Sequence, residues 1–144
     1  MGYKIDKKSY KKFIDYALQT GFDSEESAKE QIQYLVNLFN TLPDPVKLYR
    51  LIFLNSPKDF NRNEPGEHYV LNKKKLVRDH YDVMLYDYSK YEESKPYILT
   101  IESPKNKIDF DVTISQNLAF PHEEEITLKN KGKGVDIVSI KEIK

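Results

Sequence analysis

The hydrophobic pattern of this chain changes once, at Pro43 and Pro45, and that change constrains the fold more than any other feature. Before the two prolines, apolar residues recur three and four positions apart, as in helices with one buried face: Tyr10, Phe13, Ile14, Ala17 and Leu18, then Ala28, Ile32, Leu35, Phe39 and Leu42. After them come short runs rich in β-branched and aromatic residues, separated by turn-forming residues. Helices followed by strands, without regular alternation, predict an α+β domain with a mainly antiparallel sheet.

The expected elements can be placed along the chain. Two N-terminal helices are predicted, over residues 6–20 and from about Asp23 to Leu42, with Gly21 as the stop of the first. The run Asp23-Ser24-Glu25-Glu26 is typical of a capping box at the start of the second helix. Strands are predicted over residues 46–54, 68–71, 97–101, 108–114, 124–128 and 135–140. Residues 73–93 stay unassigned, because tyrosines and aspartates dilute a helical pattern.

Length and composition exclude several classes of protein. The 144 residues predict one domain, with a helical part at 1–45 and a β-rich core at 46–144. Basic and acidic residues number 23 each, which argues against a strongly basic nucleic-acid-binding surface. The absence of cysteine excludes disulfides and thiol nucleophiles. Neither a signal peptide nor an apolar run of membrane-spanning length is present, so we expect a cytoplasmic protein without membrane contact.

The segment 120–128, Phe-Pro-His-Glu-Glu-Glu-Ile-Thr-Leu, is the strongest candidate for chemistry. In a strand, Glu123, Glu125 and Thr127 would share one face, while Glu124 and Ile126 would share the other. Glu123 and Glu125 would then lie about 7 Å apart at Cα. Two carboxylates at that distance can raise one pKa and serve one substrate. A solvated acidic loop is the competing interpretation, and the run by itself favours that loop.

Arg50 is the second candidate, because the strand pattern places it on the same face as Leu48 and Ile52. A guanidinium on an apolar face needs a carboxylate, a group of carbonyls or an anionic ligand. A structural salt bridge and a bound anion explain the arginine equally well.

Other kinds of site have little support in the sequence. The three histidines, His68, His80 and His122, lack the spacing of a zinc site, so no metal is expected. The chain has no Gly-x-Ser-x-Gly elbow, no Gly-x-Gly-x-x-Gly fingerprint and no P-loop. The tyrosines between residues 81 and 97 are interpreted as packing or surface residues, since the charge around them is mixed.

Three motifs in order resemble the ADP-ribosyltransferase superfamily: Leu48-Tyr49-Arg50, Gly66-Glu67-His68-Tyr69 and the segment 120–126. The arginine-type branch of that superfamily is marked by an early Arg and a late Glu-x-Glu. The chain is also similar to small ADP-ribosyltransferase-like proteins encoded by bacteriophages, which share Ile108-Asp109-Phe110. The likeness covers roughly residues 46–143, and it implies a split β-sheet core with NAD bound between two sheet layers.

The resemblance also implies a function and a set of site residues. The function is NAD-dependent mono-ADP-ribosyl transfer to a protein acceptor, in the host cytoplasm or the virion if the protein is phage-encoded. Glu125 would stabilise the oxocarbenium-like transition state, and Glu123 would orient the incoming nucleophile. Arg50 would hold the diphosphate or the adjoining ribose, while His68, Tyr69 and His122 would line the cleft.

One departure from the family pattern keeps other functions open. The second motif normally supplies Ser or Thr, whereas this chain has His68-Tyr69-Val70. The alternatives are a catalytically degenerate binding or virion structural protein, an NAD glycohydrolase, and an RNA phosphate-transferring enzyme. Zero net charge counts against the RNA substrate.

Overall fold

The computed structural model describes residues 2–76, 94–121 and 124–143. Three α-helices lie wholly within them: α1 (Lys7–Gln19), α2 (Glu25–Thr41) and α3 (Phe110–Ala119). Residues 73–76 are also helical. The strands are β1 (Val46–Leu54), β2 (His68–Val70), β3 (Lys95–Ser103), β4 (Glu125–Thr127) and β5 (Asp136–Glu142). The α+β prediction is confirmed.

The five strands form one antiparallel sheet in the order β4-β2-β1-β3-β5. The long strands β1 and β3 pair along their whole lengths in the middle of the sheet, and the short strands β2 and β4 extend it on one side. A split sheet in two layers was expected; the described strands instead belong to a single sheet.

The ends of the first two helices follow the predicted signals. Gly21 adopts a φ of 116°, and the Phe22 N–H donates to the Ala17 carbonyl at 3.1 Å, which closes α1 as predicted. A capping box opens α2, but it consists of Ser24 and Ser27 rather than an aspartate and a glutamate. The Ser27 N–H donates to Ser24 Oγ at 3.1 Å, and the Ser24 N–H donates to Ser27 Oγ at 3.3 Å.

The strand predicted over residues 108–114 is wrong, because most of that segment belongs to α3. Asp109 is the N-cap, and its Oδ1 accepts a hydrogen bond from the Val112 N–H at 3.2 Å. The buried residues of α3 follow helical spacing: Thr113, Ile114, Asn117 and Leu118. The apolar alternation fitted a strand over a few residues, whereas the cap and the longer helical pattern decide the structure. Ile108 alone keeps a strand-like contact, a single β-bridge to Leu128.

Replacing this N-cap should weaken α3 measurably. Asp109→Ala is expected to lower the free energy of unfolding by about 1 kcal/mol, because the Val112 N–H loses its acceptor. Asp109→Asn is the matched control and should cost much less, since asparagine caps helices as well as aspartate does. Urea unfolding of the three proteins measures the effect. Equal stability of the alanine and wild-type proteins would contradict the assignment of this cap.

The core lies between the helices and one face of the sheet, here called the helix-covered face. Helix residues in this core include Phe13, Ala17, Ile32, Leu35, Phe39, Ile114 and Leu118. The sheet contributes Val46, Leu48, Tyr69, Leu99, Ile101 and Ile126. These positions alternate along each strand with residues that leave the sheet on the opposite face. Within the described ranges no helix has both the length and the hydropathy that crossing a bilayer requires.

Candidate functional site

Strands β2 and β4 place His68 and Glu125 next to each other on the opposite face. The register pairs His68 with Thr127 and Val70 with Glu125, and directly opposed residues in an antiparallel pair share a face. His68 Nδ1 lies 3.1 Å from Glu125 Oε1. The predicted alternation of Glu125 and Thr127 on one side and Ile126 on the other is therefore confirmed.

This pair borders a cavity of about 220 Å³. Apolar and aromatic side chains form much of its wall, and they come from Tyr49, Leu51, Val70 and Leu76. The Glu125 side chain is only 17% exposed, so its carboxylate is largely removed from bulk water. A carboxylate in such a place interacts more strongly with a nearby positive charge than a fully solvated one does.

The His68 ring is held from both of its nitrogens. Nδ1 lies 3.2 Å from Thr127 Oγ1 in addition to its contact with Glu125. Nε2 lies 3.3 Å from Glu67 Oε1. An imidazole protonated at Nδ1 donates to Glu125 and so orients the carboxylate that faces the cavity, and it donates to Glu67 as well when Nε2 is also protonated.

Helix α3 holds the backbone of β4 on the side away from β2. The Asn117 side-chain amide bonds both the N–H and the carbonyl of Glu125, at 3.1 and 2.7 Å. Thr113 Oγ1 accepts from the Thr127 N–H at 3.0 Å. The sequence interpretation missed Asn117 and Thr113, because it placed part of α3 in a strand. An asparagine among apolar residues on one helix face is the signal that could have found the first of them.

Arg50 lies on the other side of the sheet. Tyr49 is paired with Val70, so the strand alternation puts Arg50 and Tyr69 together on the helix-covered face. Arg50 Nη1 donates to the Pro65 carbonyl at 2.8 Å and lies directly over Gly66. The guanidinium therefore fixes the loop before β2. Its role as a diphosphate ligand beside Glu125 stays a prediction: Arg50 is among the residues that line the cavity, while its guanidinium is engaged with the Pro65 carbonyl.

Tyr69 is among the residues that line the cavity, although its side chain is buried on the helix-covered face. Its side chain is 1% exposed, and its hydroxyl has no hydrogen-bond partner of ordinary geometry among the described residues. Burial raises the pKa of Tyr69 to about 12, and the positive charge of Arg50 opposes that rise. The hydroxyl also lies close to Gly132, where a Cβ would be 3.4 Å away.

The buried phenol should make stability depend on alkaline pH. The pKa of Tyr69 in the folded protein is above the ordinary value of 10. The contribution of the protonated phenol to the free energy of unfolding is therefore complete below pH 10 and is lost as pH rises towards 12. Between pH 10 and 12, the free energy of unfolding should fall less for the Tyr69→Phe variant than for the wild type. Below it, the variant should be as stable as the wild type or more so by about 1 kcal/mol, because an unpartnered buried hydroxyl is removed.

Urea unfolding on both sides of pH 10 checks this expectation. The control is Tyr34→Phe, since Tyr34 is 49% exposed and should leave the alkaline loss unchanged. Identical alkaline losses in Tyr69→Phe and the wild type would contradict the assigned pKa.

Two of the predicted positions lie outside the described residues: Glu123, the second carboxylate of the Glu-x-Glu motif, and His122 beside it. His80 lies outside them as well. Within residues 2–76, 94–121 and 124–143, no cluster of His, Asp and Glu side chains is arranged to hold a metal ion. No protein-family model, curated protein or solved structure matches this chain.

Proposed function

We propose that this chain cleaves the nicotinamide–ribose bond of NAD⁺ and transfers the ADP-ribose to a protein acceptor, with Glu125 as the catalytic carboxylate. The observation that supports this most is the Glu125–His68 pair, 3.1 Å apart, at the border of an apolar and aromatic cavity. Loss of nicotinamide leaves positive charge on the ribose, as in other glycosidic cleavages. A fixed, poorly solvated carboxylate stabilises that charge without rearranging during the reaction.

His68 fills the place of the missing Ser or Thr in the second motif. A hydroxyl there would orient the catalytic glutamate, and the imidazole Nδ1 makes the corresponding contact with Glu125 Oε1. When Nε2 is protonated as well, Glu67 on that nitrogen holds the imidazole in the same orientation. The departure from the family pattern is thus compatible with turnover.

The cavity suits one half of the dinucleotide. Its volume of about 220 Å³ is smaller than the roughly 300–1,000 Å³ of sites that enclose a whole drug-sized ligand. The nicotinamide ring and its ribose would occupy the cavity against Tyr49 and Leu51, and the rest of NAD⁺ would lie outside. Glu123 remains the proposed group for orienting the acceptor nucleophile.

A second candidate is a binding or virion structural module that has lost catalysis. One observation favours it: the Arg50 guanidinium is engaged with the Pro65 carbonyl on the helix-covered face. The positively charged group that the family pattern assigns to NAD is then occupied with holding a loop. Such a module would not release nicotinamide.

The test is a calorimetric titration with NAD⁺ in which nicotinamide release is followed in the same samples. A second set of samples contains NAD⁺ labelled in its adenylate phosphate together with a bacterial protein extract. Nicotinamide release with label on protein would support ADP-ribosyl transfer, and release without labelled protein would indicate a glycohydrolase. Absence of both binding and release at millimolar NAD⁺ would reject the proposed enzyme.

A further inference from the structure

We propose that Asn117 of α3 is a positioning residue for Glu125: it fixes the backbone of β4 and thereby holds the Glu125 carboxylate against His68. The effect on turnover rests on the proposed function. The effect on the Glu125–His68 geometry does not, and it can be measured without NAD⁺.

The need for such a residue follows from the place of β4 in the sheet. β4 has three residues and, among the strands that the structure describes, pairs with β2 alone, so it is an edge strand of this sheet. In an antiparallel pair, alternate residues turn their N–H and C=O groups towards the partner strand and away from it. The groups of Glu125 and Thr127 that are directed towards α3 would lack partners without that helix, and buried backbone groups require partners.

Asn117 supplies both partners at Glu125. Its Oδ1 accepts from the Glu125 N–H at 3.1 Å, and its Nδ2 donates to the Glu125 carbonyl at 2.7 Å. One side-chain amide therefore makes the two bonds that a residue of a neighbouring strand would make. Nδ2 also donates to the Thr113 carbonyl at 2.8 Å, which ties the amide to its own helix.

The burial of Asn117 makes this contact rigid. The residue is 2% exposed, so water does not compete for the amide. Asparagine is a poor residue for a helix interior, and a buried amide without partners is costly. Its presence beside Ile114 and Leu118 is explained by the two bonds to Glu125.

Thr113 provides a matched comparison on the same helix. Its hydroxyl accepts from the Thr127 N–H at 3.0 Å, two residues further along β4. Thr113 is fully buried, like Asn117, and holds the same strand through a different residue. A merely structural role would make the two contacts equivalent, whereas a positioning role makes the Asn117 contact matter more for the carboxylate.

The experiment compares Asn117→Ala and Thr113→Val with the wild type. Amide hydrogen exchange should accelerate at Glu125 in the first variant and at Thr127 in the second, which verifies that each contact has been removed. The ring ¹⁵N chemical shifts of His68, assigned with His68→Gln, should change more in Asn117→Ala than in Thr113→Val, although Thr127 also contacts His68 Nδ1. In the NAD⁺ assay, kcat of Asn117→Ala should fall on the order of 10²-fold with little change in KM.

Unchanged His68 shifts in Asn117→Ala, with faster Glu125 exchange, would overturn the proposal. Equal shift changes in both variants would overturn it too, because they would indicate general loosening of β4. If Asn117→Ala does not fold, Asn117→Asp takes its place, since it keeps the acceptor for the Glu125 N–H and loses the donor to the carbonyl. A wild type without nicotinamide release would reject the proposed function, while the His68 shifts would still decide the role of Asn117.

Discussion

Glu125→Gln is expected to lower the rate of nicotinamide release from NAD⁺ by about 10²- to 10³-fold while leaving the fold and most NAD⁺ binding intact. Glutamine preserves the shape of the side chain and can still accept a hydrogen bond from His68. It removes the negative charge that would stabilise the oxocarbenium-like transition state, and loss of one such electrostatic group typically costs about 10²- to 10³-fold in kcat. The measurement is nicotinamide release at saturating NAD⁺, with the affinity followed by calorimetry.

The control for this variant is Glu124→Gln, one residue earlier in the same acidic run. Glu124 precedes β4, with a φ of 48°, and its carboxylate lies 3.5 Å from the Tyr34 hydroxyl rather than beside His68. It should keep turnover close to wild type. Equal losses in the two variants would indicate a general effect of negative charge near the cavity, and retained turnover in Glu125→Gln would refute the catalytic assignment.

Gly66→Ala is expected to destabilise the fold far more than loss of the Asp109 cap does. Gly66 has a φ of 115°, where residues other than glycine are strained. A Cβ at this position would lie 1.1 Å from Arg50 Nη1, so the guanidinium would have to leave the Pro65 carbonyl. Strain and overpacking each cost about 1–3 kcal/mol, so we expect a loss of about 3 kcal/mol in the free energy of unfolding.

The chain offers a matched control for that substitution. Gly21 has a φ of 116°, and a Cβ there would meet nothing within 4 Å. Gly21→Ala therefore carries the same backbone strain without the clash, and the difference between the two variants isolates the contact with Arg50. Urea unfolding measures both. Equal losses would show that the Arg50 contact contributes nothing to holding the loop.

The local signals in the sequence were sufficient for much of the fold. The stop at Gly21 and the β-rich run of β1 are set by nearby residues, and both are where the pattern placed them. The segment from Ile108 was different, because a few alternating apolar residues fit a strand and a short helix equally well. Packing against α1 and α2 and the cap at Asp109 decide between them, and neither is visible in a short stretch of sequence.

The candidate site was predictable only in part. The alternation along β4 correctly placed the side chains of Glu125 and Ile126 on opposite faces of the sheet. The resemblance placed His68 in the same cleft as Glu125, and in the structure the two side chains are neighbours. Sequence order could not show that Arg50 leaves the sheet on the other face, because that depends on the register of β1 with β2. For the same reason the sequence could not show that the Tyr69 side chain is buried in the core, although the residue is among those that line the cavity.

The contact between α3 and β4 has a consequence for self-association. An uncovered edge strand is a template on which another chain can add a strand, and repeated addition leads to aggregates. In this fold the Asn117 and Thr113 side chains bond the outward groups of Glu125 and the outward N–H of Thr127, and the Asp109 N–H donates to the Thr127 carbonyl at 2.9 Å. These contacts with α3 thus keep this edge from recruiting a second molecule, so weakening them should reduce the solubility of the protein.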